Sequence, residues 1–285
     1  MNTTFKSITT LIPDIYSLLK DKGTISEAGV SLLNTNLSSM LSRRLTEERS
    51  EKGELRMSNF GTTCDRRLWY SANTPSDAEP LPPYTRIKFL YGDIIEEIVL
   101  ALAKEAGHSV EYQQQQVDLY GVKGHIDAII DGVLVDVKSA NARSFLKFKK
   151  PFEEVKDDIF FQAYDSQLQM YLEASKDLIN VKGTAAFLAV DKEMGHMTLQ
   201  TVRKETHDWE KKVTARLALL EKAVPPARGF EDQADGASGN RKLGTYCSYC
   251  PYKKKCWPGL RTFIASTGPK FLTKVEREPN MLEIK

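Results

Sequence analysis

Cysteine is scarce in this chain of 285 residues, with four in all, and histidine is equally scarce, also four. In a reducing compartment so few thiols favour metal ligation over a pair of disulfides. The histidines, His108, His125, His196 and His207, are scattered, so surface or packing roles are the default for each. A large charge of either sign is missing too. The formal net charge of +2 is too small to mark a nucleic-acid binder by itself. No apolar run approaches the length of a membrane span, and Met1 to Lys6 has no charged stretch leading into an apolar one. The expectation is a cytoplasmic protein with no membrane partner. Internal repeats and low-complexity tracts are also lacking, and 41% hydrophobic with 27% charged residues is ordinary for a globular core.

What is present is unevenly placed. Three cysteines crowd into Cys247-Ser248-Tyr249-Cys250 and Cys256, while Cys64 stands far upstream. Thiolates at such short intervals converge on one centre with little chain strain, and a fourth from upstream closes the site. Spacing alone leaves zinc and an iron–sulfur cluster both open. Trp69, Tyr70 and Trp257 lie near these cysteines and are expected to shield the centre. Basic residues gather at Arg43-Arg44, Arg66-Arg67, Lys147 with Lys149-Lys150, and Lys253 to Lys255. Each alone reads as a solvated face, and together they would line a groove for a polyanion.

Along the chain, residues 1–57 read as a helical segment, with Leu32, Leu33, Leu37, Met40, Leu41 and Leu45 at helical spacing. A proline-rich loop is expected from Ser71 to Pro83, then a helix from Gly92 to Ala106 stopped by Gly107. A further helix is expected over about 157–178, strands over 184–190 and 196–202, and an amphipathic helix over 207–223. Val224 to Gly244 reads as a surface loop that delivers the chain to the cysteines.

The most legible element lies between the two helices. Ile126 to Ile130 and Val133 to Val137 are strand-like runs around Asp131-Gly132, a strong signal for a two-residue hairpin loop. Counting outward pairs Ile130 with Val133, Ile129 with Leu134, Ala128 with Val135 and Asp127 with Asp136. Two carboxylates then face each other on one side of the sheet, with Lys138 beside them and an apolar face opposite. At roughly 5 Å and an effective dielectric near 20 the repulsion costs about 3 kcal/mol. A bound divalent cation would turn it into ligation, and a solvated edge hairpin with Lys138 as countercharge is the alternative.

Gly124-His125-Ile126-Asp127, followed by Asp136-Val137-Lys138, resembles the active-site core of the PD-(D/E)XK nuclease superfamily. Gly92-Asp93-Ile94-Ile95-Glu96 is similar to its first-helix motif, and Gln167-Leu168-Gln169-Met170-Tyr171 to the Gln-x-x-x-Tyr motif of the RecB-like branch. With the order of the cysteines, the chain resembles the iron–sulfur members of that branch, among them the AddB nuclease domain and the CRISPR-associated exonucleases. The resemblance spans about residues 60–260. It departs in two places: Glu96 stands where many relatives have histidine, with Glu97 beside it, and Asp136 where many carry glutamate.

The resemblance implies a restriction-endonuclease-like α/β fold, a mixed central sheet flanked by helices, with a nuclease core over 58–224. Residues 225–285 would be a C-terminal loop and cluster-binding segment packed on that core. It implies Glu96, Asp127, Asp136 and the carbonyl of Val137 as ligands for Mg²⁺ or Mn²⁺, with Lys138 at the attacking water and Gln167 and Tyr171 positioning the substrate or that water. On helix geometry alone, those last two are packing residues at the edge of the core. Cys64, Cys247, Cys250 and Cys256 would hold a [4Fe–4S] cluster. The implied activity is a metal-dependent DNA exonuclease acting on single strands or ends, in recombination, repair or CRISPR adaptation, with a helicase, recombination or integrase protein as partner. The competing expectations are a non-catalytic, zinc-stapled binding module for nucleic acid or protein, and a structure-specific endonuclease.

Overall fold

Asp131 and Gly132 both take positive φ, 50° and 79°, as a two-residue type I′ turn requires. The strands beside them pair in the register read from the sequence: Ile130 with Val133, Ile129 with Leu134 and Ala128 with Val135. Around this hairpin the computed structural model describes residues 6–20, 25–46, 53–180 and 183–284. Of the expected N-terminal helical segment, residues 1–5, 21–24 and 47–52 lie outside the described residues.

In chain order the helices are α1 (Leu11–Lys20), α2 (Glu27–Thr46), α3 (Met57–Phe60), α4 (Asp65–Asn73), α5 (Pro83–Glu105), α6 (Ala142–Phe148), α7 (Ile159–Ala174), α8 (Trp209–Leu220), α9 (Thr245–Ser248) and α10 (Lys253–Cys256). The strands are β1 (Val110–Glu111), β2 (Gln116–Leu119), β3 (Val122–His125), β4 (Ala128–Ile130), β5 (Val133–Ala140), β6 (Thr184–Asp191), β7 (Met197–Arg203), β8 (Gln233–Ala234), β9 (Arg241–Lys242), β10 (Arg261–Ala265), β11 (Gly268–Lys274) and β12 (Leu282–Ile284). Contacts divide the chain into two compact units. The first holds the described residues within 1–49, 55–61 and 83–214, and the second those within 50–54, 62–82 and 215–285. Residues 62–82, expected inside the core segment, thus group with the C-terminal residues.

The first unit is built on a sheet of order β1-β4-β5-β6-β7, antiparallel except for the parallel pair β5–β6. The expected mixed α/β architecture is therefore the one found. One face packs Ala128, Ile130, Val135, Val137, Leu188 and Val190 against Leu11, Ile15, Val99, Leu100 and Ala103 of α1 and α5. The other packs Ile129, Leu134 and Phe187 against Phe145 and Phe148 of α6 and Phe161, Leu168 and Leu172 of α7. The face that carries the acids was expected to be polar, yet Ile129 and Leu134 on it are fully buried. The reason is position: β5 has β6 on its other edge, and a strand inside a sheet with helices on both faces is buried on both.

Helix α5 starts at Pro83, well before the expected Gly92, with proline at the first helical position, where its missing N–H costs nothing. Its end is the expected one. Gly107 takes φ 83°, its N–H donates to the Lys104 carbonyl, and the His108 N–H donates to the Ala103 carbonyl, closing a Schellman motif. His108 is buried between two carboxylates, with Nδ1 2.6 Å from Asp131 Oδ2 and Nε2 3.1 Å from Asp14 Oδ2. Asp131 therefore forms the hairpin turn and, through His108, links it to Asp14 of α1.

The second unit contains a five-stranded antiparallel sheet of order β12-β10-β11-β9-β8, with Phe263 and Leu272 buried in it. Two of its strands lie inside the stretch expected to be a loop over Val224–Gly244. Each is only two residues long, too short for an alternating pattern to show. Side chains hold that edge instead: Arg241 Nη2 donates to the Asp232 carbonyl at 2.8 Å, and Asn240 bonds three backbone groups of residues 276 and 277. Helix α4 also lies in this unit, where Trp69 Nε1 donates to the Lys222 carbonyl at 2.8 Å.

Candidate active site

In an antiparallel hairpin with this register, alternate pairs exchange backbone hydrogen bonds, and the Val137 N–H would next bond Ile126. It does not. The chain before β4 peels away, the Ile126 N–H donates to the Gln115 carbonyl at 3.0 Å, and the vacated Val137 N–H donates to Asp127 Oδ2 at 2.7 Å. The ladder thus stops one pair short of Asp127 and Asp136. A side chain replaces a backbone partner, which keeps the buried Val137 donor satisfied and aims the Asp127 carboxylate at β5.

Asp136 is 2% exposed and projects from the same face as Lys138, whose Nζ forms an ion pair with Asp136 Oδ2. That ammonium also lies 5.0 Å from the centre of the Tyr164 ring and 6.0 Å from that of Phe187. Burial alone would depress its pKa, but Asp136 and Asp127 outweigh burial and hold it above the ordinary lysine value. For Asp127 burial comes first, then repulsion by Asp136 and Glu96, and its pKa is pushed well up despite Lys138 and the Val137 N–H.

Helical phase does not choose between Glu96 and Glu97, and the resemblance alone favours Glu96. The structure separates their surroundings. Glu96 Oε1 accepts from Gln114 Nε2 at 2.6 Å, and its pKa is pushed up to about 7 by burial, with repulsion from Glu97, Asp136 and Asp93 added. Glu97 is buried in α5, its Oε2 without a hydrogen-bond partner, and its field raises the pKa of Lys104, which burial lowers more. Glu96 is the one that faces the aspartates.

Gln167 Nε2 donates to Tyr171 Oη at 2.9 Å, so the pair expected on one face of α7 is joined. Burial, with repulsion from Asp136 and Asp127, pushes the Tyr171 pKa up to about 12, against the Gln167 bond and Lys138. Tyr171 also explains a glycine. A Cβ on Gly124 would sit 2.6 Å from Tyr171 Cε1 and 2.9 Å from Met57 Sδ, so only glycine lets β3 pass here. Two contributors escaped the sequence reading. Tyr164 shares the face of Gln167 and Tyr171 at helical spacing, a signal that was available, whereas Gln114 sits in an irregular stretch at φ 53° that no pattern marks.

The acids converge as oxygen donors of the hard type that suits Mg²⁺ or Mn²⁺, and their mutual repulsion is what a cation would relieve. The donor set fits. As placed, however, no group of three or more His, Cys, Asp or Glu among the described residues is drawn together tightly enough to hold an ion. The site is a neighbourhood of suitable donors, not a closed coordination shell.

In the second unit, all four cysteines are free thiols and line one cavity, with Arg66, Arg67 and Arg228 in its wall. Burial pushes the Cys247 thiol up to about 11, with the other three cysteines adding to the rise. Gly229 passes so close that a Cβ there would lie 3.1 Å from Cys64 Sγ. Trp69, Tyr70 and Tyr252 pack with Cys250. The basic triplet beside them is not a free groove lining: Lys253 pairs with Glu79, Lys254 lies 3.5 Å from Glu79 and Lys255 3.3 Å from Asp77. Arg44 and Lys147 are likewise taken up, by Asp93 and Asp158.

No helix among the described residues is long and apolar enough to cross a membrane. No curated protein matches the sequence. The crystal structure of SSO0001 is similar at a TM-score of 0.42 and 12% identity, over 82% of this chain and 98% of that one, a likeness too distant to bear on function. The family model described as the PD-(D/E)XK nuclease superfamily matches residues 39–257. Those bounds enclose Glu96, Asp127, Asp136, Lys138, Gln167 and Tyr171 on a mixed sheet of the expected kind, and the chain belongs to that superfamily, whose nucleases generally use divalent metals.

Proposed function

We propose that the chain is a metal-dependent DNA exonuclease that hydrolyses phosphodiester bonds on single strands or at ends, in recombination, repair or CRISPR adaptation. The observation that carries this is the meeting of Asp127, Asp136 and Lys138 where the hairpin ladder breaks off, with Glu96 facing them. When bound, Mg²⁺ or Mn²⁺ would supply a nucleophilic water and neutralise charge on the phosphorane. Glu96, Asp127, Asp136 and the Val137 carbonyl would hold it. Lys138, fixed between Asp136 and the Tyr164 ring, would orient the attacking water and stabilise developing negative charge. Gln167 and Tyr171, joined to each other on α7, would position the substrate or the water at Lys138.

For the cysteines we propose a [4Fe–4S] cluster with a structural role, fastening the C-terminal residues to α4. Four free thiols on one cavity, with arginines nearby to offset thiolate charge, support it. The protein partner would be a helicase, recombination or integrase protein that delivers the DNA.

The test compares end-labelled linear and circular single-stranded DNA in Mg²⁺ or Mn²⁺. Loss of linear DNA with circles intact is expected. Equal loss of circles would make the enzyme an endonuclease, and retention of DNA without cleavage in any divalent metal would leave a binding module. Anaerobic purification should give a brown protein with stoichiometric iron and sulfide, whereas colourless zinc protein would overturn the cluster assignment.

A further inference from the structure

Pairing of β1 with β4 ends at Glu111 opposite Ile129, and pairing of β2 with β3 begins at Gln116 opposite His125. Residues 112–115 therefore face only 126–128. One extra residue on one strand is a β-bulge, a device found beside active sites because it re-aims a side chain. The backbone shows it. Among the described residues, Tyr112 and Gln114 are two of the few non-glycine positions at positive φ, each at 53°, and the Gln115 N–H closes a turn onto the Tyr112 carbonyl at 3.1 Å. Left-handed backbone beside a Cβ is strained and persists only where surrounding bonds hold it.

Those bonds converge on the candidate active site. In a regular strand consecutive side chains point to opposite faces, so Gln113 and Gln114 could not both reach one helix. In the bulge they do. Gln113 Oε1 accepts from Lys104 Nζ at 2.5 Å, and Gln114 Nε2 donates to Glu96 Oε1 at 2.6 Å, both on α5. The Gln114 backbone N–H donates to the Asp127 carbonyl at 3.3 Å, and the Ile126 N–H donates to the Gln115 carbonyl at 3.0 Å. Gln114 thus holds Glu96 by its side chain and Asp127 by its backbone. Its amide carries no charge, so it can orient the carboxylate without displacing a cation from it, as a lysine there would.

We infer that Gln114 is a positioning residue for the divalent metal, its amide fixing the Glu96 carboxylate toward Asp127 and the bulge placing that amide. This rests on the reading of Glu96 as a ligand. The test measures Mn²⁺ binding to the full chain without DNA, from the electron paramagnetic resonance signal of free Mn²⁺. Gln114→Gly removes the amide yet suits positive φ, so its melting temperature in EDTA should not fall. Its Mn²⁺ dissociation constant should rise roughly 10- to 100-fold, the range for losing a residue that orients a metal ligand. Gln114→Met, similar in length but without a donor, should lose as much. Gln115→Ala should bind as the wild type does, because that side chain bonds the Gln116 carbonyl at 3.1 Å and not an acid. Added to Glu96→Gln, Gln114→Gly should cost nothing further, since it acts through that carboxylate.

Wild-type affinity in either Gln114 variant overturns the inference, as does an equal loss in Gln115→Ala or a loss that multiplies in the Glu96→Gln background. Melting temperatures that fall in both Gln114 variants would make the residue a folding contact and overturn it too. A wild type that binds no Mn²⁺ has the same consequence. Undiminished affinity in Glu96→Gln would instead remove the ligand assignment, and a wild type that binds Mn²⁺ but cleaves no DNA would remove the nuclease reading alone.

Discussion

Asp127 has a structural duty and a chemical one. Its carboxylate takes the Val137 N–H that the broken ladder leaves, and it is held among other acids with its ionisation disfavoured by burial. Without a cation the folded protein carries that cost. Asp127→Asn keeps an acceptor for Val137 and removes the charge, so the metal-free variant should melt higher, by about 2–4 °C for a gain on the order of 1 kcal/mol. Calorimetry in EDTA checks this, and the same variant should lose cleavage. Gly124 makes the opposite case. Alanine there would strike the Tyr171 ring and Met57, and should cost about 1–3 kcal/mol in denaturant unfolding together with activity. The acids and the lysine were readable because strand parity and an Asp-Gly turn fix which side chains share a face. Gln114, the partner of Glu96, comes from irregular backbone, and Asp14 reaches His108 from a helix far away in sequence, so neither had a local periodic signal to reveal it.

Among the elements, the hairpin carries the most. Both turn residues have positive φ, and a Cβ on Gly132 would lie 2.8 Å from Asn180 Cβ. Gly132→Ala should therefore cost about 1–2 kcal/mol or more by urea unfolding, and it should lower cleavage by loosening the strand that carries Asp136. This register was legible from the turn out to Ala128 and Val135, since two short apolar runs around a tight turn allow a single pairing, whereas the expected pair of Asp127 with Asp136 lies beyond the end of the ladder, where a side chain takes the Val137 N–H. Helix α5 was legible only from Gly92, because the prolines before Tyr84 suggested a loop and an exposed turn shows no amphipathic period. The strands β8 and β9 were missed for a related reason: their stability comes from Asp232, Asp235 and Asn240, not from an alternating face.

At the scale of the molecule, the two units should respond to conditions in different ways. Lys270 holds the Asp235 carboxyl below the usual aspartate range, and Lys242 adds to this; at Asp232 burial works against Thr273 and Arg241, which still lower it. A depressed folded value means the stabilisation is complete above the ordinary aspartate pKa and is lost as pH falls through the folded one. The second unit should thus weaken in acid, and Asp235→Asn should flatten that acid limb in denaturant titrations read at pH 3 to 7. The first unit holds instead a group of carboxylates that a cation would relieve, beside the point where the hairpin ladder ends. The central claim is that these carboxylates cleave DNA, and the most direct measurement is the rate of nucleotide release from end-labelled DNA in Mg²⁺ or Mn²⁺ by the wild type and Asp136→Asn. The site predicts release that needs the metal and falls at least about 100-fold in the variant while its melting temperature holds or rises. Equal rates in the two proteins would contradict it.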